Sequence, residues 1–330
     1  MNRSVFIDIS KAICIILVVL GHFQPFFSPK WYIMLIDVIY TFHMPLFMFE
    51  SGYLYALTKR NESYLSFMLK KIRRLVVPYL FCSFVIIGIK LLFQDYFYIQ
   101  HPRNYYSFIE MLYKPKAGYF LWFVWALWWI FMIIPFFKTK KQRLLLLIIA
   151  FFIHFFPINV TRIFCLIETQ RMLVFFVAGV IVYDLKHYFM ICKQIPLYIY
   201  ILLFFIFEWF YFSGYVYLPW MRFLLAFWGI GLICAFSFKL QALSSEPVLR
   251  LFSIVSTSSY FIYLFHTTFE GFAKALLIKM SLYNKEYIAH SFTFCLIVLF
   301  VVFCGVVFPI LIYYFIGKKY KITRFLFGLK

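Results

Sequence analysis

Long apolar stretches, separated by short polar segments, run through the whole chain. A helix needs about 20 apolar residues to cross roughly 30 Å of hydrocarbon, and about ten stretches come near this length. They lie near residues 9–27, 32–57, 74–94, 117–137, 144–158, 171–190, 196–213, 219–238, 252–278 and 290–316. Because they lack the period-two alternation of a membrane barrel, they predict helices. The predicted fold is an all-α polytopic membrane protein, a bundle of about ten transmembrane helices.

Two of the predicted spans contain a proline, Pro45 in "HMPLF" and Pro309 in "FPI". Proline frees a backbone carbonyl inside a helix, and a membrane helix tolerates this where its neighbours satisfy the freed group. Both positions are therefore candidate kinks.

The amino-acid composition supports a membrane protein. Of 330 residues, 65% are hydrophobic and 13% are charged, whereas a soluble domain is about half apolar and about a quarter charged. The excess of apolar surface requires lipid as its solvent. The first apolar run lacks a small-residue cleavage site, so we interpret it as a retained span. Because the sequence contains no internal repeat or linker, residues 1–330 are predicted to form a single transmembrane domain.

The net charge of +20 comes from 32 Lys and Arg residues against 12 Asp and Glu residues. Most of the cations lie in segments 3–11, 59–74, 138–143, 186–193, 239–250 and 318–330, which are cytoplasmic if the N-terminus is inside. This bias predicts a multi-pass membrane protein with both termini in the cytoplasm and an even number of spans. It explains the basic charge without a nucleic-acid partner. The seven cysteines lie mostly in apolar runs without metal-ligand spacing, so no metal is expected.

The first span, "KAICIILVVLGH", carries a charged residue at one end and an imidazole at the other. Eleven residues separate Lys11 from His22, so in a helix both side chains point the same way and lie roughly 16 Å apart along the axis. Asp8 precedes Lys11 by three residues and can pair with it. A histidine deep in a membrane either bonds to a neighbouring helix or serves the chemistry, for which neutral imidazole suits a general base.

The second span contains polar residues in "YTFHMPLFMFESGYLYALTKR". Glu50 follows His43 by seven residues, about two turns, so the two side chains can share a helix face. A buried carboxylate needs a partner, and we expect a nearby histidine or a cation. The pair Ser51-Gly52 would allow another helix or a ligand to approach the backbone.

A basic cluster opens the third predicted span, in "LKKIRRLVVPYL". Its members are Lys70, Lys71, Arg73 and Arg74. Clusters of this kind at the cytoplasmic end of a span bind anionic lipid headgroups and set the topology. The alternative is a cradle for a ligand that bears phosphate groups, for which Arg offers bidentate donors.

Five stretches in a set order resemble the membrane-bound acyltransferase-3 family, which includes sugar and polysaccharide O-acetyltransferases. They are "DISKAICIILVVLGH", "FHMPLFMFESGYL", "KKIRRLVVPYL", "GYFLWFVWAL" and "SSYFIYLFH", and the resemblance covers residues 5 to about 315. It implies a bundle of about ten spans that uses cytoplasmic acyl-CoA, commonly acetyl-CoA, as co-substrate. The acceptor it implies is a hydroxyl group of a glycan or a lipid-linked sugar.

The resemblance also implies roles for individual residues. The family's basic-residue-x10-His motif falls on Lys11 and His22, with His22 as the catalytic base and Asp8 beside Lys11. Arg is usual at the first position, and Lys keeps the charge but loses the planar fork. The family's R-x-x-R donor motif falls on Lys71 and Arg74, with the register Lys70 to Arg73 as an alternative. Glu50 replaces an apolar residue before "SG", which marks either a subfamily difference or a role in the site.

Acyl transfer from a thioester to an alcohol needs a base for the hydroxyl proton and donors for the developing oxyanion. Ser51, Tyr53 and His266 are candidate donors. The resemblance implies that the phosphates of coenzyme A rest on Lys71, Arg73 and Arg74, with Lys11 as a further candidate. The pantetheine arm, of the order of 16 Å, would then carry the thioester to His22.

These observations favour a membrane O-acyltransferase that moves an acetyl or other acyl group from acyl-CoA to a cell-surface polysaccharide or its sugar precursor. One rival is a non-enzymatic polysaccharide exporter on the same scaffold, for which inverted repeats would be expected. A second rival is a structural or assembly protein, in which Lys11, His22, Lys71 and Arg74 would be freely replaceable.

Overall fold

The computed structural model describes residues 4–25, 27–59, 61–96, 101–160, 163–185, 194–214, 219–284 and 290–329. Within these ranges the chain forms helices and no strand. The segment 186–193, predicted to be a cytoplasmic loop, lies outside the described residues, as do the cations Arg3, Arg60 and Lys330.

The helices follow one another along the chain with short connections. They are α1 (Val5–His22), α2 (Lys30–Thr58), α3 (Tyr64–Lys71), α4 (Val77–Phe93), α5 (Ser107–Glu110), α6 (Trp122–Ile133), α7 (Lys140–Phe155), α8 (Leu166–Asp184), α9 (Leu197–Phe212), α10 (Pro219–Leu243), α11 (Glu246–Lys279), α12 (Ser291–Ile312) and α13 (Lys321–Leu326). A π-helical turn, Ile72–Val76, joins α3 to α4, and a second, Tyr313–Gly317, follows α12.

The helical membrane fold expected from the sequence is confirmed. In the described part of the chain, eight helical stretches are long and apolar enough to cross a membrane. They are Val5–His22, Lys30–Thr58, Tyr64–Phe93, Tyr119–Phe136, Ile163–Asp184, Trp220–Leu243, Glu246–Lys279 and Ser291–Gly317. The helices α7 and α9 have 16 residues each and correspond to two further predicted stretches, 144–158 and 196–213. The protein is an integral membrane protein.

The third span begins ten residues earlier than the apolar pattern predicts. The hydroxyl of Ser63 accepts a hydrogen bond from the backbone N–H of Ser66 and caps α3. The basic cluster therefore lies inside a continuous helical stretch rather than at its start. The two predicted kink positions, Pro45 and Pro309, lie within α2 and α12.

The chain divides into two compact units. The first unit contains residues 1–57 and 179–310, and the second contains residues 58–178 and 311–330.

In the first unit α1 packs against α10 and α11. Near the start of α1, Phe6 stacks on Phe238 with ring centroids 4.3 Å apart and meets the edge of Tyr53 at 5.7 Å. Near its end, Tyr32 meets Phe294 edge-on at 4.9 Å. Tyr32 and Phe294 belong to one buried cluster with Phe23, the residue after α1, so aromatic packing holds both ends of this helix.

A glycine brings the end of α8 into direct backbone contact with α2. A Cβ placed on Gly179 would lie 2.0 Å from the carbonyl oxygen of Phe49 and 2.9 Å from the backbone nitrogen of Tyr53. Small residues permit this close helix packing in membranes. The contact fixes the part of α2 that carries Glu50.

In the second unit, two side chains of α4 hold the segment between α4 and α6. The hydroxyl of Tyr79 donates to the carbonyl oxygens of Met111 at 2.7 Å and Lys114 at 3.0 Å. The ammonium group of Lys90 donates to the carbonyl of Ala117 at 3.0 Å. These bonds satisfy backbone groups in a segment that has little helix of its own.

Candidate functional site

His22 is the last residue of α1, where the final carbonyl groups lack partners within the helix. Two tyrosines of α2 donate hydrogen bonds to carbonyl groups at this end. The hydroxyl of Tyr32 donates to the carbonyl of Phe23 at 2.8 Å, and the hydroxyl of Tyr40 donates to the carbonyl of Gly21 at 3.1 Å. Side chains of α2 thus satisfy the carbonyl groups on either side of His22.

Three histidines gather at this end of α1. The ring of His22 lies 5.0 Å from the ring of His266 on α11, and His43 on α2 interacts electrostatically with His22. The Nδ1 atom of His266 lies 2.8 Å from the carbonyl of Tyr263, and that of His43 lies 2.8 Å from the carbonyl of Ile39. Since a carbonyl only accepts, both Nδ1 atoms carry hydrogen, and Nε2 of each neutral ring is an acceptor.

The helices α1 and α11 run parallel to each other. The hydroxyl of Ser256 donates to Oδ1 of Asp8 at 2.8 Å, and further along both helices His266 meets His22. Lys11 is half-buried one turn after Asp8. The structure thus places Asp8 and Lys11 at one end of α1 and the histidine cluster at the other.

Glu50 is fully buried and accepts a hydrogen bond from the hydroxyl of Ser10 on α1. Lys11 attracts it electrostatically. We expected a histidine or a cation as its partner, and the structure adds a serine hydroxyl from the neighbouring helix. The sequence of α2 could not predict this bond, because the spacing of residues along one helix does not show which helix packs against it.

The structure does not bring two of the candidate oxyanion donors to His22. The ring of Tyr53 packs against Phe6, which precedes His22 by 16 residues, or about 24 Å of helix. Ser51 is half-buried on the same part of α2. Both residues lie toward the Lys11 end of α1 because α2 runs antiparallel to it. His266 lies beside His22, but its Nδ1–H is engaged by a backbone carbonyl and its Nε2 is an acceptor, so the neutral ring offers no N–H to an oxyanion.

Sequence reasoning missed Glu270, which lies one turn after His266 on α11. Its side chain is buried, with 6% exposed, and it interacts electrostatically with Tyr32 and Tyr40 at the end of α1. A signal was present in the sequence, since a carboxylate four residues after a histidine in an apolar span shares its helix face.

The basic cluster belongs to the second unit. Lys70 and Lys71 end α3, and Arg73 and Arg74 lie in the π-helical turn Ile72–Val76 that follows. The ammonium group of Lys71 lies 3.3 Å from the ring centroid of Phe131, a cation–π contact. Lys70 pairs with Glu62, and Arg74 repels Lys71 electrostatically. In the register Lys71 to Arg74, Lys71 is half-buried and Arg74 is exposed.

The C-terminal segment braces this cluster. The guanidinium carbon of Arg73 lies 5.5 Å from the ring centroid of Phe325. Gly328 adopts a positive φ of 63°, and a Cβ there would lie 2.9 Å from the carbonyl oxygen of Arg73 and from Cα of Arg74. Only glycine fits both the conformation and the space. The turn that carries the cations is thereby fixed from one side.

In the described ranges, no group of three or more His, Cys, Asp and Glu side chains is arranged to hold a metal ion.

Comparisons with known proteins point to one family. The acyltransferase-3 family model, described as an acyltransferase domain, matches residues 4–314. The nodulation protein NolL of Sinorhizobium fredii (strain NBRC 101917 / NGR234) is 38% identical over 90 residues, which are 26% of this chain and 25% of that relative. The chain is thus aligned with a quarter of that protein. No solved structure matches.

Proposed function

The chain belongs to the acyltransferase-3 family, and on that premise we propose that this membrane acyltransferase moves an acetyl group from acetyl-CoA to a hydroxyl of a cell-surface polysaccharide or its lipid-linked sugar precursor. Support comes from the histidine cluster at the end of α1, where His22 lies 5.0 Å from His266. The family assignment favours this proposal over the exporter and the structural protein that the sequence left as rivals.

His22 is the proposed general base. It accepts the proton of the acceptor hydroxyl while the oxygen attacks the thioester carbonyl carbon. The new carbon–oxygen bond forms, the carbon–sulfur bond breaks, and the proton passes from His22 to the departing thiolate of coenzyme A. The products are an ester and free coenzyme A, with no net proton released.

The phosphate groups of the donor are proposed to bind cations, for which each unit offers candidates. Lys11, with Asp8 beside it, lies about 16 Å from His22 along α1, a distance of the order of a pantetheine arm. In the second unit, Lys71, Arg73 and Arg74 offer the charges that bind phosphate groups. We place the donor on the cytoplasmic side, in keeping with the positive-inside bias of a bacterial inner-membrane protein with both termini inside.

Purified protein in detergent provides the test, with radiolabelled acetyl-CoA as donor and surface glycan from a deletion strain as acceptor. We expect label in the glycan, released by mild alkali as acetate. Arg74→Ala should weaken acetyl-CoA binding by about tenfold, the effect of losing about 1.4 kcal/mol, and should flatten its salt dependence.

Arg250→Ala is the matched control because Arg250 is exposed and pairs only with Glu246 four residues away among the contacts described. It should bind donor like the wild type. Equal losses in the two variants would contradict the assigned donor site, and a wild-type protein that labels no glycan would contradict the proposed function.

A further inference from the structure

Glu270 has no role in the chemistry proposed above, yet it is a buried carboxyl group in a membrane-spanning helix. Its Oε1 atom is buried and has no hydrogen-bond partner among the described residues. Buried polar atoms are nearly always hydrogen-bonded, because an unsatisfied one is costly. Two other buried acidic groups, Glu50 and Glu208, also have one oxygen without a partner, but a hydroxyl holds the other oxygen of each: Ser10 donates to Glu50 and Thr41 donates to Glu208. Among the described residues, none donates a hydrogen bond to Glu270.

A glycine on α12 makes room for this carboxyl group. A Cβ on Gly305 would lie 3.1 Å from Cγ and 3.2 Å from Oε1 of Glu270, and 2.8 Å from Cγ1 of Val19. Val19 precedes His22 by three residues and shares its face of α1. The carboxyl group of Glu270 therefore lies against the face of α1 that carries His22.

Two tyrosines of α2 also relate Glu270 to the end of α1. It interacts electrostatically with Tyr32 and Tyr40, whose hydroxyls bind the last carbonyls of α1. Helix side chains tilt toward the N-terminus, so the carboxyl group of Glu270 points back toward the level of His266.

Because α1 and α11 run parallel, residue counts along the two helices give the position of Glu270 along their axes. Ser256 meets Asp8, and 14 residues, or about 21 Å, separate Ser256 from Glu270. The same 14 residues separate Asp8 from His22. Glu270 therefore lies level with His22, at the end of α1 that is farthest from Lys11.

We propose that Glu270 binds a hydroxyl group of the acyl acceptor and orients a neighbouring hydroxyl toward His22, which makes a polyhydroxylated molecule such as a sugar the acceptor class. This inference rests on the proposed function, in which the donor reaches His22 from the Lys11 end. Glu270 takes no part in the proton transfer. Its Oε1 atom accepts from the acceptor the hydrogen bond that no described residue supplies.

The test compares Glu270→Ala and Glu270→Gln in the acetyl-transfer assay, with surface glycan from a deletion strain as the acceptor. A second readout is the slow hydrolysis of acetyl-CoA, in which water replaces the glycan. Glu270→Ala should raise the KM for glycan or lower its transfer by about 10- to 100-fold, with hydrolysis and acetyl-CoA binding unchanged. Glu270→Gln, which keeps a hydrogen-bonding group, should recover part of the transfer.

Two controls separate acceptor binding from folding. Glu246→Gln changes an exposed carboxylate of the same helix, and Glu208→Gln changes a buried one held by Thr41. Both should transfer acetyl to glycan at near the wild-type KM. Wild-type transfer by Glu270→Ala, or an equal loss of transfer and hydrolysis, would overturn the acceptor role. A wild-type protein that hydrolyses acetyl-CoA but labels no glycan would instead remove the proposed function on which it rests.

Discussion

At the scale of single residues, the buried acidic side chains of the first unit differ in how their oxygens are satisfied. Glu50 receives the hydroxyl of Ser10 and Glu208 receives the hydroxyl of Thr41 at 2.8 Å. In hydrocarbon each such bond is needed because water is not available to replace it. A lost donor should therefore cost stability even at positions remote from any reaction.

Ser10→Ala tests this argument. Removing the hydroxyl leaves a buried carboxyl oxygen of Glu50 without its donor, so we expect a loss of about 1–3 kcal/mol in the free energy of unfolding. Thermal unfolding in detergent, followed by intrinsic fluorescence, measures the change. Ser259→Ala is the matched control, since the buried hydroxyl of Ser259 has no hydrogen-bond partner in the described part of the chain. If both variants unfold alike, the Ser10–Glu50 bond is not what stabilises this region.

Residue-level prediction from the sequence succeeded where one helix carries the whole pattern. The spacing of Lys11 and His22 places both on one face of α1, and the structure keeps them on a continuous helix. The same reasoning could not find the Ser10–Glu50 bond or the position of Tyr53 beside Phe6. Those contacts depend on the antiparallel packing of α2 on α1, which no spacing along either helix specifies.

At the scale of helices, small residues decide how closely the spans of the first unit pack. The backbone of α8 touches that of α2 at Gly179, and α10 meets the side chain of Phe42 at Gly229, where a Cβ would lie 2.4 Å from Cβ of Phe42. Packing of this kind replaces the hydrophobic effect as the force that holds membrane helices together.

Gly179→Ala should be strongly destabilising. The added methyl group would lie 2.0 Å from the carbonyl oxygen of Phe49, so the helices must separate, at a cost of at least about 3 kcal/mol. The melting temperature in detergent and the yield of monodisperse protein report this loss. Gly88→Ala is the control, because no atom lies within 4 Å of its added Cβ and alanine favours helix. A Gly179→Ala protein that melts with the wild type would disprove the close contact.

The helix boundaries show where an apolar pattern stops being informative. The third span begins at Tyr64, although its first ten residues contain the cations that were read as a boundary. Local chemistry explains this, because Ser63 caps the helix and Lys and Arg are good helix formers. The π-helical turn Ile72–Val76 left no recognisable mark in the sequence, and the C-terminal segment that packs against it lies about 250 residues further along the chain.

At the scale of the whole molecule, the apolar composition predicted the class of fold, and the order of the motifs predicted the family. Both were readable from the sequence because lipid solvation demands long apolar helices, and because residues 4–314 keep the family's pattern. The division into two compact units was not readable, since it depends on contacts between residues far apart in the chain.

The account depends on His22 acting as the base for acyl transfer, and its most direct test uses whole cells. A deletion strain is complemented with wild-type protein, His22→Ala or His154→Ala, and the alkali-labile acetate on its surface glycan is measured by mass spectrometry. His154 is the control, since its Nδ1 atom lies 2.7 Å from a backbone carbonyl of the second unit. Wild type and His154→Ala should restore the acetate, and His22→Ala, made in equal amount, should restore less than about one hundredth of it. Full restoration by His22→Ala would contradict the account.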